Sequence, residues 1–258
     1  MEPVLFEKEG SVCQLTLNQP ESRNALSMDL MKDMQGKLNL ITEDPDIRVV
    51  VIMGKGPAFC AGHNMKEMTG EDYDIHHFRK VFSICSEMMQ TLHHLPQPVI
   101  AQVHGIATAA GCQLVAACDL AIAETGARFA TPGVKIGLFC STPMVPLSRV
   151  IGRRRALEML LTGRFVTAQE ACQFGLVNRV VEPDRLAEET SNLAKEIAQN
   201  SQFTLGFGKR AFYNQIDLDE VSAYNYAKEA IALNCLAEDA QEGMAAFLQK
   251  REPEWKDR

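Results

Sequence analysis

Between Pro98 and Asp119 the chain reads PVIAQVHGIATAAGCQLVAACD, an apolar strand that passes through a turn of small residues into a helix. Such a junction suits an anion. Small side chains let backbone N–H groups approach a ligand closely, and a helix start adds unpaired donors at the positive end of its dipole. Together they can hold an oxygen that gains charge during a reaction. Proton transfer next to that oxygen calls for a side chain of tuned pKa. The polar residue on this helix is Gln113, whose carboxamide can hold a water or a carbonyl but exchanges no proton near pH 7. His63, in the upstream segment Phe59–Met68 (FCAGHNMKEM), carries a ring that titrates in the useful range. Cys140 and Ser141 have no partner base evident in the sequence, so Cys140 reads as a buried inert thiol. His76-His77 and His93-His94 fall on helix faces without metal-ligand spacing, and no metal is expected. Lys135 and Glu124 read as solvated surface charges, and Asp119 as a cap at a strand start.

The elements that must position these residues follow from periodicity. Val4–Lys8 and Ser11–Asn18 read as two strands joined at Glu9-Gly10. A helix runs from the N-cap Ser27 to Thr42, with Leu30, Met31, Met34, Leu38 and Ile41 on one stripe. Arg48–Met53 is a β-branched run, expected as a strand buried on both faces. Asp72–His94 has helical spacing and ends before Pro96. Pro98–Val103 and Asp119–Ala123 are short buried strands separated by the helix that begins near Ala110. Arg149–Gly163 contains a strong helix, and Thr167–Gly175 is another with Gly175 as its C-cap. Val177–Val181 is a last strand before a long helix from Pro183 to Asn200. Helices follow at 202–215, 218–236 and 238–250. This order predicts an α/β array with a core over residues 1–200 and a helical region over 201–258.

Bulk properties exclude several roles. The 258 residues are 46% hydrophobic, enough for a large core. A net charge of −7 argues against nucleic acid or a membrane surface as general partners, while leaving room for a local basic patch on an anionic cofactor. No basic stripe with interleaved aromatics suggests RNA. The eight cysteines form no CxxC pair and sit mostly among apolar neighbours, as expected of free thiols in a reducing compartment. No apolar run approaches the roughly twenty residues that span a bilayer. A signal or transit peptide is not visible, and the C-terminal WKDR is not a peroxisomal signal.

Six pieces in fixed order give the chain a specific resemblance: Arg23-Asn24-Ala25-Leu26, FCAGHNMKEM, PVIAQVHGIATAAGC, CDLAIA, ALEMLLTGR and AQEACQFGLVNRVV. In these it resembles the crotonase (enoyl-CoA hydratase/isomerase) superfamily over essentially its whole length. The resemblance implies an α/β fold, a crotonase-like spiral of ββα turns followed by a C-terminal helical trimerisation region, with trimers often paired into hexamers. It also implies a coenzyme A thioester as ligand and no tightly bound cofactor. Carried over by position, the oxyanion-hole donors are the backbone N–H groups of His63 and Ala110, with Ala109 as the alternative one residue earlier. The first catalytic glutamate of the family falls on Gln113 and the second on Gly133. The carboxylate used by the dienoyl-CoA isomerase branch falls at Ser141. Coenzyme A contacts are expected from Arg23, Ala25, Leu26, Ala61 and Lys66, and from Phe247 and Lys250 on the C-terminal helices. The likeness is strongest to a mitochondrial branch, which implies the matrix, with the cytoplasm as alternative. Two functions remain open: an acyl-CoA-binding protein of fatty-acid metabolism without ordinary hydratase or isomerase activity, or a decarboxylase or thioesterase that works through the oxyanion hole.

Overall fold

The centre of the molecule is built on a hairpin, β1 (Val4–Glu9) with β2 (Val12–Leu17), and on β3 (Val49–Gly54), which pairs parallel to β2. Along β3 the side chains alternate between two interiors. Val50 and Ile52 enter the main core, whereas Val49 and Val51 enter a smaller cluster with Val12, Ile100 and Ala194. Burial on both faces explains why this run has no polar positions among its first four residues. The structure, a computed structural model, describes residues 2–70 and 73–258.

β4 (Val99–Val103), β6 (Leu120–Glu124) and β9 (Arg179–Val181) extend the sheet in parallel, so its order is β1-β2-β3-β4-β6-β9. One face is covered by α1 (Met28–Glu43), α2 (Ile75–His94) and α3 (Ala110–Ala117), the other by α7 (Leu186–Ala198). α1 buries the predicted stripe, and the Ser27 hydroxyl accepts the Leu30 amide at 3.2 Å. α2 opens at Ile75 with Asp74 capping the His77 amide; its predicted beginning at Asp72 lies outside the described residues.

A second sheet, β5 (Ile106–Thr108), β7 (Arg128–Ala130) and β8 (Val166–Thr167), is absent from the sequence reading. Strands of two or three residues carry no readable period; they exist because lateral pairing holds them. The single bridges Cys60↔Ala107 and Leu26↔His63 continue this ladder outward. They bring residues 26, 63, 60, 107 and 129, far apart in the chain, onto one platform.

The stretch Arg149–Gly163 is divided between α4 (Met144–Val150) and α5 (Arg153–Thr162), because Gly152 turns the backbone at φ 77°. α6 (Ala168–Phe174) carries a Thr167–Glu170 capping box and ends at Gly175. Pro183–Arg185 forms a 3-10 turn before α7. The last three helices are α8 (Gln202–Gln215), α9 (Glu220–Asn234) and α10 (Glu238–Gln249). α9 starts two residues later than predicted, since Asp219 caps the Ser222 amide, and it buries none of its residues.

α8 is fastened to the core by a buried polar hub. Lys209 Nζ donates to the Leu92 and Gln97 carbonyls and pairs with Asp119 at 2.6 Å. The Tyr213 hydroxyl donates to the other Asp119 oxygen, and the Val99 amide also donates to this carboxylate. Asp119 therefore links two strands and a helix rather than capping one strand. All eight cysteines are free, and six are buried; Cys172 is half-buried and Cys235 exposed. Among the described residues no helix is long and apolar enough to cross a membrane.

Candidate active site

Two consecutive non-glycine residues in the left-handed region, Arg23 and Asn24 (both φ 54°), bend the chain ahead of α1. The buried Asn24 carboxamide holds this bend by accepting the Gln19 amide and donating to the Lys55 and Ala58 carbonyls. The bend leaves Arg23 exposed and lets its carbonyl accept the Ala61 amide at 3.0 Å. The Leu26 amide then donates to the Gly62 carbonyl, and the Leu26 carbonyl accepts the Asn64 amide. His63 lies between these two bonds with its own N–H turned away from Leu26.

The second half of the site is the entry to α3. Ala109 sits at φ 50°, ψ −118°, a conformation costly for any residue with a Cβ, by about 1–3 kcal/mol. Its amide is spent on the Ala130 carbonyl at 2.9 Å. The first free donor is therefore that of Ala110, the first helical residue, followed by those of Gly111 and Cys112 in the same turn. Among the described residues neither the His63 nor the Ala110 N–H has an acceptor. The two segments are packed as closely as backbone allows. A Cβ on Gly62 would stand 3.0 Å from the Thr108 carbonyl oxygen and 3.5 Å from the Ala110 nitrogen, and one on Gly111 would stand 2.1 Å from the Cys60 carbonyl oxygen. The Thr108 hydroxyl, bonded to the Ala61 carbonyl at 3.1 Å, adds a tie between the halves. Two amides without acceptors, on rigid elements and at a helix start, can polarise a carbonyl oxygen placed between them.

Three polar side chains near these amides, Gln113, Thr131 and His63, carry no acid. Gln113, one turn along α3 from Ala110, is 3% exposed, and its Oε1 is unpartnered. Thr131, next to the Ala130 that receives the Ala109 amide, is fully buried with an unpartnered hydroxyl. Among the described residues neither ring nitrogen of His63 has a close hydrogen-bond partner, and the ring meets the Phe82 ring edge-on at 5.3 Å. Burial holds the His63 pKa below its ordinary value, so the imidazole is neutral near pH 7. No Asp or Glu occurs between Glu124 and Glu158. Glu124 itself accepts the Gly105 amide at 2.9 Å, which makes it a clamp on the turn rather than a solvated charge. Glu67 accepts the Met28 amide at the start of α1 at 2.8 Å.

At Gly133 the space for a side chain is filled. A Cβ there would lie 2.8 Å from the Leu138 carbonyl oxygen and 2.9 Å from Cys140 Sγ. Burial pushes the Cys140 thiol pKa up, in keeping with an inert thiol. Ser141 is exposed, and its hydroxyl donates to the Phe139 carbonyl.

Of the residues expected at coenzyme A, Arg23 and Lys66 are exposed, and Ala61 is partly so. Leu26 departs from expectation. Its side chain is 1% exposed within the core and both its backbone groups are bonded, so it positions His63 and offers no surface to a ligand. Ala25 is likewise buried, at 9% exposure. Phe247 and Lys250 lie exposed at the end of α10, which packs on α8 rather than on the α3 entry. Lys135 is exposed, as expected of a surface charge. Thr131, Asn24 and Glu124 went unread in the sequence as members of the site. Only Asn24 carried a usable signal, because Asn tolerates the left-handed region that a bend needs.

The enoyl-CoA hydratase/isomerase family model matches residues 7–258. Enoyl-CoA hydratase domain-containing protein 3, mitochondrial, from Homo sapiens is 45% identical over 253 residues, covering 98% of this chain and 83% of that protein. The short-chain-enoyl-CoA hydratase of Clostridium acetobutylicum is 33% identical over 255 residues, covering 97% and 96%. Among solved structures, an enoyl-CoA hydratase of Mycobacterium smegmatis superposes with a TM-score of 0.95 at 46% identity, covering 98% of each chain. The human domain-containing protein 3 superposes with the same TM-score at 43% identity, covering 98% of this chain and all of that one. With the family model spanning nearly all of its length and relatives this similar, the chain belongs to the enoyl-CoA hydratase/isomerase family.

Proposed function

We propose that this protein binds acyl-CoA thioesters in an intact oxyanion site and lacks ordinary enoyl-CoA hydratase and isomerase activity. The observation that carries this reading is the pairing of two acceptor-free amides, at His63 and Ala110, with an α3 that carries no carboxylate and a stretch between Glu124 and Glu158 that holds no Asp or Glu. The thioester carbonyl oxygen accepts from both amides, which favours negative charge on that oxygen and weakens the bonds to the α-hydrogens. Hydration or double-bond migration then needs a group to carry a proton, and positions 113 and 133 supply none. Gln113 offers a neutral amide, and Gly133 offers nothing. Arg23 and Lys66, exposed on the bend and the 3-10 turn that flank the site, meet the phosphates of coenzyme A; Ala61 lies along the path between.

The same reading places the protein in fatty-acid metabolism and, on the names of its relatives, in the mitochondrion. Residues 1–200 form the core and 201–258 the helices that assemble copies into a trimer or hexamer. Supporting this are the exposed Val221, Tyr224, Ile231, Leu233 and Leu236 on and just after α9, a helix that buries nothing within its own chain. Phe247 and Lys250, distant from the α3 entry along their own chain, complete the coenzyme A site of a neighbouring copy.

The test is mass spectrometry after incubation in D2O with acyl-, enoyl- and malonyl-CoA esters, beside equilibrium titration of the same esters. Binding without hydration, isomerisation, decarboxylation or hydrolysis is expected. Hydration of crotonyl-CoA above the control would sink the reading. Decarboxylation or hydrolysis that falls away in His63→Ala or Gln113→Ala would replace it with the enzymatic alternative.

A further inference from the structure

We infer that the cavity between the sheet and α7, on the face opposite α3, is a binding site for a free α-amino acid. The ligand is taken as its zwitterion and carries an uncharged side chain. The assignment is independent of thioester binding.

A sheet covered on both faces is expected to carry apolar side chains on both. On the α7 side Val12, Val49, Val51 and Ile100 obey this and pack with Ala194. Alternation along the strands puts two glutamines on the same face. Gln14 stands two residues from Val12 and laterally opposite Val51, and Gln102 stands two residues from Ile100. There the helix and the sheet enclose about 230 Å³, room for roughly seven waters or one small organic molecule. Both glutamines line this space, over a floor of Val12, Val51 and Met53 and under Ala187 and Ser191 of α7. Among the described residues the Gln14 carboxamide and the Ser191 hydroxyl make no hydrogen bond, and Gln102 reaches only Met53 Sδ, at 4.0 Å. Glu9 and Lys195 complete the lining, and among the described residues neither takes part in an ion pair.

The two charges share one end of the cavity. Glu9 pairs with Val12 across the hairpin, and Val12 pairs with Val49 at the start of β3. Arg48, one residue earlier, donates to the Ala198 carbonyl, so the last turns of α7, with Lys195, lie over that same end. Arg48 itself is paired with Asp257. The other end, about 12 Å along α7 at Ala187, holds Met53 and Gln102 and no charge.

This asymmetry selects the ligand. A molecule with an ammonium and a carboxylate on one carbon satisfies Glu9 and Lys195 together. A bare acid brings its charge to Glu9 as well as to Lys195, and a bare amine meets the converse conflict. The side chain then runs over the apolar floor toward the neutral carboxamides. A second charge at that end would be desolvated without a counter-charge.

Ligand-observed NMR titration of the full chain tests the assignment. The probes are L-leucine and L-glutamine, L-glutamate and L-lysine, and the one-charge analogues of leucine, isocaproate and isoamylamine. Leucine and glutamine are expected to bind at least fivefold tighter than the other four, the upper range for a solvent-screened ion pair. Glu9 and Lys195 are exposed, so Glu9→Gln and Lys195→Met are expected to fold, with a thermal melt as the check. Each is expected to weaken leucine binding by about fivefold. Isocaproate or isoamylamine binding as tightly as leucine overturns the zwitterion assignment. Leucine affinity unchanged in both variants overturns the site. Failure of leucine and glutamine to bind the folded parent overturns the proposal, and it leaves the thioester reading untouched.

Discussion

At the scale of single residues, the site is governed by what a side chain may occupy. Gly133→Glu is expected to destabilise the protein by about 1–3 kcal/mol, because its Cβ meets the Leu138 carbonyl and Cys140 Sγ. Alone or with Gln113→Glu it is expected to produce no crotonyl-CoA hydration; thermal melts and a hydration assay check both statements. Ala109→Gly has the opposite sign. Relief at φ 50° exceeds the added flexibility of the unfolded chain, for a net gain of roughly 0.5–1 kcal/mol in chemical denaturation. His63 sets a pH dependence. Its folded pKa lies below the unfolded value near 6.5, so between the two the unfolded chain binds more protons. Its contribution is complete above pH 6.5 and is lost as pH falls toward the folded pKa. His63→Phe is expected to flatten the melting temperature across that interval relative to the parent, and an equal slope in both proteins would refute it.

At the scale of elements, α8 is held by the Asp119–Lys209–Tyr213 hub. Removing one charge leaves the other buried; Asp119→Ala is expected to cost about 3–5 kcal/mol. Because Lys209 then has no counter-charge, Asp119→Ala with Lys209→Met is expected to cost less than the sum of the single changes, as denaturant midpoints would show. Most elements were legible in the sequence. The α1 stripe, the doubly buried β3 and the α6 caps follow from periods and capping residues. β5, β7 and β8 were not, because they are defined by partners as distant along the chain as Arg128 and Thr167. The same limit applied to the site. Its glycine turns and its missing carboxylates could be read directly, yet the spent Ala109 amide, the filled space at Gly133 and the buried side of Leu26 depend on what folds against them. Asp119 illustrates the boundary well. Its place at a strand start was visible, while its bonds to Lys209 and Tyr213 came only with the docking of α8.

At the scale of the whole molecule, the apolar positions of the terminal helices outnumber what one chain can cover. Light scattering is expected to give the mass of a trimer or hexamer, and Val221→Glu with Leu233→Glu is expected to yield smaller species. If a neighbour's α10 completes the ligand site, the same pair weakens coenzyme A ester binding, although neither residue lies near α3. A parent protein that runs as a monomer would contradict both expectations.

The packing at Gly133 also acts as a ratchet on descent. A single codon change that introduced an acid there would first collide with the backbone at Leu138, losing stability before any chemistry could reward it. An acid at this position is therefore more than one mutational step away: the 138–140 segment would have to be rerouted first, for no immediate gain. The two amides face no such obstacle, since backbone donors persist through most side-chain replacements. A lineage that starts from this chain can revise the side chains around its pocket far more readily than it can place an acid at position 133.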